Sequence, residues 1–162
     1  MGKVRASGEE NQRCITSLPS ETLYWFGDDV LNNQQWLQQI LRYYKSPPYV
    51  VSDFTQPSLS FGMGGQGTGV PFHFHGPGFQ QMLIGRKRWY LAADRPRFDP
   101  NETTIHWALE RRTKDKQPFI YECTLHPGDI IFFPSLWWHA TLNLDLAIFL
   151  STFLGLWHWN SK

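Results

Sequence analysis

The chain has 162 residues, with 15 Lys plus Arg against 14 Asp plus Glu, a net charge of +1. That length predicts one domain, and near-neutrality predicts no nucleic-acid partner and no acidic membrane surface as partner. Hydrophobic residues are 41% and aromatics 16%, enough apolar material for a core, which excludes a wholly disordered chain. The longest greasy stretch, 146–159, is broken by Ser151, Thr152 and His158, so no membrane span is expected. The first residues, MGKVRASGEENQRC, contain no apolar core of a secretory signal, and Cys14 and Cys123 are too few for a disulfide framework.

In chain order, residues 1–20 are polar and aperiodic and read as a mobile tail; 21–155 read as the domain, and 156–162 as a C-terminal tail. A helix is expected over about residues 30–45, capped by Asp28 and Asp29. Its stripe Trp36, Leu37, Ile40, Leu41 and Tyr44 would cover one face of a sheet, and Pro47-Pro48 would end it. Strand patterns follow at 58–61, 70–75 and 81–92, the last interrupted by Gly85. Residues 101–111 read as a helix capped by Asn101 or Thr103, with Ile105, Trp107 and Leu109 inward. Further strands are expected at 119–123, 130–133, 137–143 and 146–153, separated by Gly/Pro turns such as His126-Pro127-Gly128-Asp129. Short strands at this spacing predict a mainly β barrel or double-sheet jelly roll with flanking helices.

Gly62-Met63-Gly64-Gly65-Gln66-Gly67 fits GxGxxG formally, but a strand pattern follows it where a dinucleotide site needs a helix N-terminus. Its glycines are expected to let two backbones pass closely. His73-Phe74-His75 is sharper: period-2 alternation sends both imidazoles to one face, half of a metal site, against the plainer alternative of two core or rim histidines. The turn at Gly128, the strand behind it and the turn at Pro134 would return His139 across a barrel towards His73 and His75. Three histidines would then converge with open positions for substrate. Of the rest, His106, His126 and His158 read as structural or solvent residues, and Trp137 and Trp138 as core and rim.

GTGVPFHFH, read as GxxxxxHxH, and the 128–143 pattern GxxxxxPxLxxHxxxN resemble the two cupin motifs. GRKRWYL and FFPSLWWHATLNLD narrow the resemblance to the jumonji C (JmjC) branch of 2-oxoglutarate oxygenases, over about residues 21–155. The resemblance implies a double-stranded β-helix, a bound Fe(II) or other divalent metal, and 2-oxoglutarate as cosubstrate. His73 and His139 match the family's first and distal histidine ligands, but His75 stands where the triad's carboxylate belongs. The general cupin glutamate falls at Gln80, so that acid is missing too. Lys87 matches the lysine that pairs with the distal carboxylate of 2-oxoglutarate; alternation alone leaves open an outward, snorkelling lysine. Arg86 and Arg88 would then face solvent or a partner. Asn143, at the cupin position, would contact a metal ligand or the cosubstrate, or else serve as a strand-turn amide.

Two functions follow from the resemblance: a 2-oxoglutarate-dependent Fe(II) dioxygenase acting on a protein side chain, or a noncatalytic interaction or regulatory protein, which the missing carboxylate favours. A family member in the endoplasmic reticulum lumen gives weight to that location and to Asn101, in the sequon Asn101-Glu102-Thr103, as a glycosylation site. The lack of a visible signal segment points instead to the cytoplasm. Family members also carry roughly a hundred further residues upstream, so a truncated N-terminus and a roll closed by a partner or a second copy are further expectations.

Overall fold

The computed structural model describes residues 23–27, 33–42, 44, 58–111 and 120–154. The expected tails, His158, and the expected caps Asp28 and Asp29 lie outside them.

Nine strands are described: β1 (Tyr24–Gly27), β2 (Ser58–Gly64), β3 (Gly69–His73), β4 (Gly78–Ile84), β5 (Lys87–Ala92), β6 (Tyr121–Leu125), β7 (Ile130–Phe133), β8 (Trp138–Asn143) and β9 (Ala147–Phe153). They form two antiparallel sheets, ordered β1-β2-β9-β4-β7 and β3-β8-β5-β6. The pairings nest: β2 with β9, β3 with β8, β4 with β7, β5 with β6. A long hairpin folded over on itself in this way is a jelly roll, and β2 to β9 supply its eight strands. β1 extends the first sheet along the free edge of β2.

Alternation along the strands fills two cores. Met82, Trp89, Leu91, Leu125, Phe133, Ala147 and Phe149 come from both sheets and pack between them. Phe72, Tyr90, Ala140 and Leu142 point the other way, off the second sheet, where Ile105 and Trp107 cover them. Gly85 sits at φ 74° between β4 and β5, a conformation that glycine adopts without strain, and it carries the chain from one sheet to the other. At Gly62 and Gly64 a Cβ would meet side chains rather than a second backbone; close passage of two backbones is found just beyond that run, at Gly69, where a Cβ would overlap the Thr141 carbonyl across the β3–β8 pair.

Three expectations are corrected. Helix α1 (Gln34–Leu41) is capped by Asn33, whose side chain accepts from the amides of Gln35 and Trp36 at 3.0 and 3.3 Å. None of its residues is buried, and Trp36 is 60% exposed, so its stripe does not cover a sheet. Leu37 and Ile40 of the stripe are half-buried, and Tyr44, beyond the helix, is buried and shares a 2.5 Å hydrogen bond with Thr152 on β9. Helix α2 (Thr104–His106), capped by Thr103, widens into a π-helical turn, Trp107–Arg111. The i→i+5 winding rotates Leu109 away from the face of Ile105, leaving it 58% exposed instead of inward. Finally, β1 lies where no strand was expected. No described helix is long and apolar enough to cross a membrane.

Gly69→Ala is expected to cost roughly 3 kcal/mol or more, since a Cβ there would lie 1.8 Å from the Thr141 carbonyl oxygen and the paired backbones would have to part. Gly65→Ala, four residues earlier with nothing nearer than the Leu23 carbonyl at 3.9 Å, is expected to stay within about 0.5 kcal/mol. Urea unfolding of the two variants measures the difference, and equal losses would contradict this packing.

Candidate metal centre

His73 is the last residue of β3 and lies directly opposite His139 on β8. His75 follows two residues on, beyond the strand, where the Leu136 amide donates to its carbonyl at 2.9 Å. Phe74 between them points outward, 49% exposed, with its ring edge-on to Trp138. The ring centroids of His73 and His75 lie 4.2 and 4.6 Å from that of His139. One nitrogen from each of the three lies within 4.8 Å of the others. The expected convergence is therefore present.

Hydrogen bonding fixes which nitrogens face the centre. Nδ1–H donates to the Pro71 carbonyl from His73 (2.8 Å), to the Gly76 carbonyl from His75 (2.7 Å) and to the Trp137 carbonyl from His139 (2.9 Å). A carbonyl can only accept, so each Nδ1 holds the proton and each neutral ring keeps its lone pair on Nε2. Nε2 of His75 and Nε2 of His139 are 3.1 Å apart. Two lone pairs at that distance repel unless a cation lies between them. Burial, then the charge of His73, lowers the His139 pKa to about 3, and burial lowers that of His73, so neither of these two rings readily carries that charge as a proton. A divalent metal fits: three imidazole nitrogens, each oriented by a backbone acceptor, form an N-donor set for a first-row ion.

The histidines line a cavity of about 290 Å³ between the sheets, with Phe26, Trp89, Phe133, Phe149 and Phe153 among its walls. Lys87 lines it too and is fully buried, which excludes the snorkelling alternative. Its partners at positions 89 and 91 of the same strand face are Trp89 and Leu91, both in the inner core. The Lys87 ammonium lies 3.3 Å from the Phe149 ring centroid and 5.7 Å from that of Tyr24, and no acidic side chain is among the cavity-lining residues. Burial without an anion holds its pKa well below the ordinary lysine value. The Tyr24 hydroxyl, pushed up to about 12 by burial, stays protonated as a hydrogen-bond donor. Sequence reasoning missed Tyr24, because its place in the cavity depends on β1 joining the edge of β2.

Gln80 also lines the cavity; its Oε1 accepts from Trp89 Nε1–H at 3.2 Å, and its Nε2–H donates to Ser151 Oγ at 3.0 Å. Asn143 is buried opposite Lys87 on β8, but its amide donates to Thr68 Oγ1 at 2.9 Å, and its backbone pairs with Gly67 and Thr68. It is not among the cavity-lining residues, which favours the strand-turn amide of the two sequence readings. Arg86 pairs with Asp145 at 2.7 Å and Arg88 with Glu122 at 3.0 Å on the outside, as expected. His106 pairs with Glu102, and His126 lies 3.5 Å from Asp129, both away from the cavity. Asn101 is exposed on the turn before α2.

The buried lysine sets a pH dependence. The unfolded chain keeps this proton up to about pH 10.5, whereas the folded chain loses it at lower pH. Stability of the anion-free protein therefore rises with pH between the lowered value and 10.5. Lys87→Met is expected to remove this rise and to stabilise the protein at neutral pH by about 2 kcal/mol, or roughly 4–8 °C in Tm. Thermal melts of both proteins against pH measure it; parallel profiles would contradict the assignment.

Comparison with known proteins agrees with the geometry. The JmjC domain family matches residues 50–161. JmjC domain-containing protein 8 of Homo sapiens is 45% identical over 148 residues, covering 86% of this chain and 53% of the human protein. The Mus musculus protein of that name is 46% identical over 144 residues, covering 86% and 51%. The chain thus spans about half the length of the curated relatives it matches. Among solved structures, the ribosomal oxygenase YcfD from Escherichia coli, in complex with cobalt and 2-oxoglutarate, superposes with a TM-score of 0.54 at 20% identity, over 82% of this chain and 32% of that one. Matching sequence over most of its length, an eight-stranded roll and a histidine cluster between the sheets agree on one conclusion: the chain belongs to the JmjC domain family.

Proposed function

We propose that His73, His75 and His139 hold one divalent metal, Fe(II) in the first instance, and that Lys87 and Tyr24 receive the distal carboxylate of 2-oxoglutarate in the same cavity. The observation that carries this reading is the facing pair of Nε2 lone pairs, 3.1 Å apart, in a cavity whose buried ammonium has no acid beside it. The histidines lack a cation and the lysine lacks an anion, and a metal with a bound dicarboxylate would supply both. Bound there, Fe(II) with 2-oxoglutarate would supply the oxidation of a substrate C–H bond by dioxygen, with a protein side chain as the substrate class. The chain's own part is to orient three imidazoles through their Nδ1–H bonds, anchor an anion on Lys87, and exclude water with the aromatic walls.

A second reading has its own observation. His75 replaces the triad carboxylate, and the cupin acid position is Gln80, engaged with Trp89 and Ser151. Three neutral donors leave a divalent ion at +2, where a triad with one carboxylate leaves +1. That favours a metal-holding, noncatalytic protein that acts through interactions, in the endoplasmic reticulum lumen where the resemblance would put it.

Charge gives a test that separates these readings. With no acid among the ligands, metal and dicarboxylate are expected to bind cooperatively, 2-oxoglutarate tightening the metal by about tenfold or more. Lys87→Met should bind metal alone as wild type does but lose most of that gain. Anaerobic titration with Fe(II), with and without 2-oxoglutarate, reads the coupling, and succinate formation compared with His139→Ala reads turnover. Stoichiometric coupled binding with succinate above the variant supports the oxygenase. Binding with no such excess supports the noncatalytic reading, and no metal bound by wild type refutes the three-histidine metal centre.

A further inference from the structure

We infer that Gln80 is a positioning residue for the metal centre, acting on His139 through Trp89; the inference rests on the metal reading above. Gln80 and Trp89 are 4% and 2% exposed, so a polar atom left without a partner there costs about 1–3 kcal/mol. Both ends of the amide are used: Oε1 accepts from the indole Nε1–H at 3.2 Å, and Nε2–H donates to Ser151 Oγ at 3.0 Å. Ser151 lies directly opposite Gln80 in the β4–β9 pair, which makes the anchor part of the sheet. The indole goes where the amide holds it.

The Trp89 indole reaches the metal centre by stacking. It lies 5.6 Å from His139, 25° from parallel, and 5.6 Å from Phe133 at 14°. Phe133 in turn stacks on His139 at 5.3 Å and 25°. The Nδ1–H bond to the Trp137 carbonyl fixes one edge of the imidazole, and these two rings fix its plane. Trp89 pairs with Thr141 and Leu91 with His139, so the contact runs diagonally between β5 and β8 and depends on the indole's orientation. An amide offers the donor and the acceptor that this chain of contacts uses. A position where the cupin pattern has an acidic ligand would thus serve here as a strut behind a ligand.

The test uses the full chain titrated with Co(II), reading affinity and the visible absorption bands that report ligand geometry, with circular dichroism and Tm as folding controls. Gln80→Leu is expected to weaken Co(II) binding about tenfold and to shift the bands in a folded protein. Trp89→Phe keeps a ring but removes the N–H, and should shift the bands in the same direction. The double variant should lose little more than either single one, because both cut the same bond. Ser151→Ala, which loosens only the far end of the amide, should give a smaller change of the same kind and serves if Gln80→Leu does not fold. Wild-type affinity and bands in Gln80→Leu, additive losses in the double variant, or an unchanged Ser151→Ala where Gln80→Leu does not fold would each overturn the inference while leaving the metal reading intact. Failure of wild type to bind Co(II) would overturn both.

Discussion

Three hydrogen bonds from imidazole Nδ1–H to backbone carbonyls decide what this cavity is. Pro71, Gly76 and Trp137 supply the acceptors, and each lies within two residues of the histidine it orients. The strand ends and turns that carry the rings therefore also set their tautomers. Once the protons are on Nδ1, the Nε2 lone pairs of His75 and His139 face each other at 3.1 Å, an arrangement that is unfavourable until a cation joins them. The jelly roll makes this geometry durable. Pairing β3 with β8 puts His73 opposite His139, and the Leu136 amide ties the His75 loop back across the mouth.

Charge is the second constraint. A site with three neutral nitrogens and a buried lysine has no internal counter-charge among the residues that line it. Lys87 over the Phe149 face gains some cation–π attraction, about 2 kcal/mol when desolvated, which does not offset the cost of burying an ammonium. The anion-free protein thus holds, at a fixed place, an amine whose charged form is disfavoured by burial. In the oxygenase reading, 2-oxoglutarate would bring the negative charge that favours it.

The histidines were legible because their spacing is local on one side, HxH, and follows a turn-strand-turn pattern on the other. The nested strand order followed from the family resemblance more than from periodicity. Lys87 stayed ambiguous because it sits between two arginines, although Trp89 and Leu91 at the next alternate positions mark its inward parity. Tyr24 was not legible, because an edge strand of four residues earns its place through pairing with β2 rather than through its own pattern. Leu109 went wrong for a backbone reason: a π-helical turn breaks the α-helical period on which its inward placement depended. Gln80 could be read as a missing acid, but its bonds to Trp89 and Ser151 join residues 9 and 71 positions away.

X-ray absorption of the Fe(II)-loaded protein tests the central claim most directly. One metal per chain with imidazole scattering from three histidines, and no protein carboxylate in its coordination sphere, is the result this account predicts. A carboxylate ligand from the chain, or fewer than three histidines at a stoichiometric metal, would contradict it.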